Sequence, residues 1–384
     1  MDVLFRVIRD LKEVKFRLDD DLPDRLSRRY TCSFLLLFAV LVSVRQYWGE
    51  AIHCWCPEVC AANHEKYANI YCWVSDTYYV AFDDEIPQPG EPREKKIVYY
   101  QWTPIILISQ AVLFFLPCTL WRLLNGRSGI NIGVVMEAAV ASQRADYADS
   151  RDKMLRYAVH LLDRFLLTQR STKRGCYSRL KHVLSKHCFL VYGRLYGNYL
   201  TFCYVVIKLL YVANAVGQLF MLDVILGYEY HLFGVHVMRH LLFGEEWIAS
   251  DKFPRVTLCD YKIRQNTNVH QYTVQCVLPI NLFNEKIFAI VWFWFLFVGI
   301  VTLLSLFQWL IKLTFWPNQM KFIKRQLRAM DSFQREPAIL KRFVENYLRR
   351  DGMFILRMVA KNAGNPYRIP ILSVVMTSRA SVVY

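Results

Sequence analysis

Residues 53–60 read His-Cys-Trp-Cys-Pro-Glu-Val-Cys, one histidine and three cysteines in eight positions. Soft ligands at that density support three chemistries: metal coordination, thiol–disulfide redox, or one corner of a disulfide scaffold. A structural zinc site needs four ligands with the thiols ionised, and this spacing follows no common finger or ribbon. Thiols in an oxidising compartment pair with one another, whereas in a reducing one they stay free. The chemistry therefore depends on which side of which barrier the stretch occupies, so the elements that place it come first.

The chain has 384 residues, 54% of them apolar and 15% aromatic, with only 21% charged. That is richer in large apolar groups than an ordinary soluble chain. Lys and Arg exceed Asp and Glu by 16, an excess that fits either nucleic acid or segments facing anionic lipid. Residues 1–30 are of mixed charge, and the first apolar run is not followed by a small-residue cleavage site. No secretory signal is expected, and that run is read as part of the mature protein.

Four runs are long and apolar enough to cross a bilayer as helices, which takes about 20 residues. They are 31–48, 103–124, 199–222 and 287–312. Each is apolar around the whole helix and flanked by Trp and Tyr, unlike a core helix with one wet face. Eight Lys and Arg lie in 1–30, fourteen between Arg122 and Arg194, and fourteen after Ile311. Only four lie in 49–102 and five in 223–285. The positive-inside bias predicts cytoplasmic segments at 1–30, 125–198 and 313–384, and extracellular loops at 49–102 and 223–286. The basic excess is then a cytoplasmic feature, and no nucleic-acid partner is needed to explain it.

This topology sorts the 11 cysteines. Cys54, Cys56, Cys60, Cys72, Cys259 and Cys276 fall outside, Cys32, Cys118 and Cys203 in spans, and Cys176 and Cys188 in the cytoplasm. An even number in the oxidising compartment predicts a disulfide framework whose connectivity spacing alone leaves open. The opening stretch is read as a disulfide corner, with no metal and no cofactor.

Several motifs in order resemble a known family. "DRLSRRYT" (24–31) precedes the first span, "IHCW" (52–55) and "IYC" (70–72) space two cysteines, and "YYQW" (Tyr99, Tyr100, Gln101, Trp102) opens the second span. "KLLYVANAVGQLF" (208–220), "FPRVTLCD" (253–260), "VQCVLPINLFNEKIF" (274–288) and "YLRRDGMFILRMVAKNAG" (347–364) follow. Together they resemble the innexins, gap-junction channel subunits of invertebrates, over about residues 19–364. Ala51 stands where the family has proline, Thr103 where valine is common, and Cys56 and Cys60 are additional to the usual two cysteines per outer loop.

The resemblance implies an all-α membrane protein with four transmembrane helices, disulfide-braced extracellular loops and a helical cytoplasmic domain. It implies bridges Cys54–Cys276 and Cys72–Cys259. Cys56 and Cys60 are candidates for a third, which needs a bent segment because four-residue spacing on a regular helix is poor disulfide geometry. It also implies that the N-terminal helix lines the pore mouth as a funnel, with Asp2, Val3, Leu4, Phe5, Arg6 and Arg9 as candidates. Five basic against three acidic residues in 1–17 would make such a funnel mildly anion-favouring. An amphipathic helix on the inner leaflet is the competing reading of that arm.

Four further features concern the spans. Pro117 predicts a kink deep in the second, since proline removes a backbone donor and clashes one turn back. Asn214 and Gln218 share a face of the third and read as interhelical hydrogen-bonding groups. Lys208, about two turns from its cytoplasmic end, is expected to snorkel to the interface. His231, His236 and His240 read as solvated helix-face residues.

No phosphate-binding loop, zinc-protease helix, nucleophile elbow or dinucleotide fingerprint appears, so no enzyme is expected. The expected function is a gap-junction channel subunit in the plasma membrane, with both termini cytoplasmic. Family resemblance implies an eight-subunit ring, of one or several innexins, docked to a ring on the neighbouring cell and passing ions and small metabolites. No Asn-x-Ser/Thr sequon offers a glycan that could obstruct docking. An undocked hemichannel and a regulatory or adhesive subunit are the rival readings.

Overall fold

The computed structural model describes residues 20–56, 62–88, 91–93, 95–168, 197–227, 230–243, 253–265, 267–328 and 337–362. The funnel candidates Asp2, Val3, Leu4, Phe5, Arg6 and Arg9 lie outside these residues, as does Cys60. Four long helices dominate: α1 (Leu22–Trp48), α3 (Tyr99–Gly126), α6 (Tyr199–Leu226) and α8 (Pro279–Thr314). All four are long and apolar enough to span a membrane. At 1.5 Å per residue the 36 residues of α8 reach about 54 Å, beyond the roughly 30 Å hydrocarbon core. Each helix extends past the apolar run that betrays it, so α3 begins at Tyr99 rather than at residue 103.

Between them lie α2 (Ala62–Val74), α4 (Ile132–Arg144), α5 (Ala148–Thr168) and α7 (Phe233–Phe243). After α8 come α9 (Trp316–Arg328), α10 (Pro337–Arg342, continuing as a π-helical turn Phe343–Leu348) and α11 (Arg349–Asn362). To this helical architecture the structure adds a sheet: β1 (His53–Cys54), β2 (Thr77–Tyr78), β3 (Lys96–Ile97), β4 (Val256–Gln265) and β5 (Asn268–Val277). Its order is β1-β5-β4-β2-β3, and every pairing is antiparallel.

The chain divides into two compact units, residues 1–26, 116–212 and 301–384 in the first and 27–115 and 213–300 in the second. In the first, α5 buries Leu155, Ala158, Val159, Leu162, Phe165 and Leu166, the three- and four-residue spacing of one helical face. These pack in one core with α4 and with α11, whose residues Met353–Ala360 are all buried. An aromatic nest closes that core, with Tyr204 5.2 Å from Trp121, 5.0 Å from Trp309 and 4.8 Å from Phe354 between ring centres.

In the second unit the Tyr230 hydroxyl donates to the Phe288 carbonyl at 2.6 Å, and Trp292 Nε1 to the His231 carbonyl at 3.0 Å. These bonds fix the Trp292 ring against Gly234. A Cβ at Gly234 would lie 2.0 Å from that ring, so only glycine admits the contact. Gly234→Ala is therefore expected to cost about 1–3 kcal/mol through overpacking. A thermal midpoint of the detergent-solubilised variant equal to wild type would show instead that the indole moves aside freely.

Candidate functional site

Two constellations stand out, one in each unit. In the second unit the sheet gathers both loop segments: β1, β2 and β3 come from residues 49–98, and β4 and β5 from 253–278. Cys54 and Cys276 sit directly opposite on β1 and β5 and are joined by a disulfide. Cys72, on α2, is joined to Cys259 on β4. All four are buried, and the sulfurs of Cys54, Cys72 and Cys276 lie within 4.8 Å of one another. Two bridges thus form one compact staple, and oxidised sulfurs of this kind hold no metal. Of the remaining pair, Cys56 is partly buried and Cys60 lies outside the described residues.

The Tyr99–Trp102 signature anchors this platform to α3. The Tyr100 hydroxyl, fully buried, donates to the carbonyls of Cys72 and Ser75 at 3.4 Å. Gln101 Nε2 donates to the Trp73 carbonyl. The Tyr99 ring meets Phe253 edge-on at 5.5 Å, while Trp102 is exposed. Tyr and Gln are needed here because each combines an apolar body with a donor that satisfies a loop carbonyl.

Asp260, which the sequence did not single out, organises the opposite side of β4. It accepts two bonds from Arg93 at 3.0 and 2.6 Å, one from the Tyr78 hydroxyl at 3.0 Å and one from Thr273 at 2.7 Å. Burial and the Asp260 carboxylate together push the Tyr78 phenol up to about 12. Arg93 also donates to the Pro87 and Gln88 carbonyls and so ties these two residues to the sheet. Beyond that tie β5 is exposed on both faces from Asn268 to Thr273.

In the first unit the decisive residue is Lys208 of α6, which is 1% exposed. Its Nζ pairs with Asp24 at 2.7 Å and Asp21 at 3.6 Å, and it donates to Ser305 Oγ at 2.9 Å. The sequence expectation that Lys208 snorkels is corrected: its ammonium finds counter-charge inside the protein, so it does not need the interface. Asp21 also caps α1, accepting from the Leu22 amide at 2.8 Å, and accepts from Trp309 Nε1 at 2.9 Å. Lys361 of α11 pairs with the same carboxylate, and Arg25 bonds the neighbouring Asn362. Burial pushes the Asp21 carboxyl up, but Lys208 and Lys361 outweigh it and hold it down to about 2.

The other end of α11 makes a second tie. Asp351, fully buried, accepts from the Thr201 amide at 3.0 Å and the Thr201 hydroxyl at 2.9 Å, capping the start of α6 from a distant part of the chain. Burial, only partly offset by these bonds, pushes its carboxyl up. Asp21, Asp24, Asp351 and Lys361 were missed in the sequence. The signal that could have found some of them was Lys208 itself, since a cation in an apolar span demands a partner.

The remaining expectations resolve as follows. Pro117 is buried, and α3 continues through it from Tyr99 to Gly126. Gln218 donates to Asn214 within α6 at 3.2 Å. His231 pairs with Asp223 at 2.7 Å and stacks on Phe220, whereas His236 is exposed.

Comparison with known proteins agrees with this geometry. A family model described as Innexin matches residues 20–373. The chain is 39% identical over 356 residues to Innexin unc-9 of Caenorhabditis elegans, covering 92% of this chain and 90% of that protein. It is 37% identical over 347 residues to Innexin-3 of the same organism, covering 90% and 80%. It is 33% identical over 383 residues to Innexin-19 of Caenorhabditis briggsae, covering 92% and 85%.

Two predictions follow from the charge cluster. Lys208→Met leaves buried carboxylates without their cation and is expected to cost about 3–5 kcal/mol, part of which Asp24→Asn restores. Thermal midpoints of the single and double variants measure this, and a silent Lys208→Met would refute the pairing. Because the Asp21 pKa is lowered on folding, its contribution is present above its unfolded value near 4 and is lost as pH falls towards 2. The loss is about 2 kcal/mol, so Asp21→Asn should lose less stability than wild type between about pH 5 and pH 3. Equal slopes in a pH series would count against it.

Proposed function

From the premise that the chain belongs to the innexin family, whose members are gap-junction channel subunits, we propose how its parts serve that channel. The protein is a multi-pass membrane subunit of pores that pass ions and small metabolites between coupled cells. Copies of it, alone or with other innexins, ring a water-filled pore in groups of eight, and two rings in apposed membranes dock end to end. Residues 49–102 and 223–286 face outward, whereas 1–30, 125–198 and 313–384 face the cytoplasm, as the distribution of Lys and Arg favours. Residues 1–30 supply the funnel at the pore mouth.

The observation that carries docking is the stapled platform. A docking surface must keep its shape without a large core of its own, and cross-linking loops far apart in the chain contributes typically about 2–4 kcal/mol per bridge. The bridges Cys54–Cys276 and Cys72–Cys259 close separations of 222 and 187 residues and hold the β4–β5 hairpin, in which β5 is exposed on both faces from Asn268 to Thr273. An edge of that kind is suited to meeting an identical partner. Permeation through such a pore is limited by width and wall charge rather than by a tight filter.

The chain expressed alone in paired cells tests this reading. Junctional current between the two cells is the expected result, and it should fall to background in Cys54→Ser with Cys276→Ser. Surface-expressed protein that passes no junctional current, but conducts in single cells, would replace docking with an undocked hemichannel.

A further inference from the structure

The helix α9 carries a feature that the channel reading leaves unused. It starts at Trp316, with Phe315 alone separating it from the end of the membrane-spanning α8 at Thr314. Its thirteen residues include Lys321, Lys324, Arg325 and Arg328 and no acidic residue. Lys321, Arg325 and Arg328 are exposed and Lys324 half-buried, at positions i, i+3, i+4 and i+7. Those spacings place all four on one helical face. The opposite face is committed to the core through Gln319, Ile323, Gln326 and Leu327.

That basic face is held rigidly at the end of the span. Gln319 Nε2 donates to the Leu313 carbonyl at 2.8 Å, closing one of the last open carbonyls of α8. The Asn318 amide donates to the Phe315 carbonyl at 3.1 Å. Arg357 of α11 donates to the Asn318 carbonyl at 3.0 Å and lies over the Phe322 ring at 4.9 Å. Along the exposed side of α8 run Leu304, Phe307 and Ile311, followed by Phe315, all between 49% and 57% exposed. The outward stripe is therefore apolar up to Phe315 and cationic from Lys321 onward. Such a change of character is what a chain shows on passing from acyl chains to headgroups.

We propose that the basic face of α9 binds the anionic phospholipid headgroups of the cytoplasmic leaflet, anchoring the end of α8 to the membrane surface. The partner chemistry follows from charge: four cations on one face, next to an apolar stripe, complement a sheet of phosphate and carboxylate groups above hydrocarbon. This rests on the reading that α8 ends at the cytoplasmic side. A neutral leaflet offers the same hydrocarbon but no counter-charge, so lipid composition at this site tunes how firmly the end of α8 is held.

The test is lipid selectivity of the full chain reconstituted in phosphatidylcholine vesicles, read with spin-labelled phosphatidylserine against spin-labelled phosphatidylcholine. Wild type is expected to prefer phosphatidylserine. The variant Lys321→Gln, Lys324→Gln, Arg325→Gln, Arg328→Gln should lower that preference at least about fivefold, the effect of a single basic residue at a charged surface. A control with equal charge loss, Arg144→Gln, Arg151→Gln, Lys153→Gln, Arg156→Gln, should keep it. If the quadruple variant is not recovered folded, Lys321→Gln and Arg325→Gln alone carry the test, each lowering the preference. An unchanged preference in these variants overturns the proposal, as does a wild type with no preference whose α9 cross-links to a second copy or holds an acidic protein instead. Both leaflets of the vesicles have one composition, so the result is independent of sidedness, and current between paired cells reports on the channel reading separately.

Discussion

A lysine ammonium inside an apolar span must be neutralised within the protein or reach water, and Lys208 is neutralised. That requirement organises the first unit. Asp24 and Asp21 must lie against α6, so the start of α1 is fixed there. Asp21 and Asp24 together hold more negative charge than one cation balances, and Lys361 of α11 completes the set. Asp21, Asp24 and Lys208 are thereby buried together, each with further hydrogen bonds, while Lys361 reaches Asp21 from an exposed position, so each buried charge meets an opposite one. Asp351 ties the other end of the same helix to the start of α6. The helix α11 thus serves as a strap between the beginnings of α1 and α6, and anything that moves it acts on both.

The second unit meets a different constraint. Three of the five strands of its sheet have only two residues. Strands that short hold their register only with help. The disulfides supply it, one across directly opposed residues of β1 and β5 and one from α2 to β4. The Asp260 cluster adds a polar clamp on the far side of β4. The aromatic signature at Tyr99 and Tyr100 joins this platform to α3, and the hydroxyl bonds of Tyr100 explain why that position is tyrosine rather than phenylalanine.

The two units show complementary answers to the same problem of order near a bilayer. One fixes its helices with paired charges, which cost desolvation but specify a unique arrangement when every partner is present. The other fixes its loops covalently, with two disulfides. Both keep distant parts of one chain in a fixed arrangement.

The long helices and their number were legible in the sequence, because a bilayer-length apolar run is a local property that needs no partner to be recognised. So were the cysteines that pair and the family motifs, each read from neighbouring residues. The sheet was not, because β1, β2 and β3 are two-residue strands whose partners are set by long-range pairing, and no alternating pattern of useful length announces them. Lys208 was visible as an anomaly, but its counter-charge lies 184 positions away at Asp24, and only the packing of α1 against α6 brings the two together. Local composition decides what enters the membrane. Which charge meets which depends on contacts between parts of the chain that composition cannot bring together, and these exist only once the helices have packed.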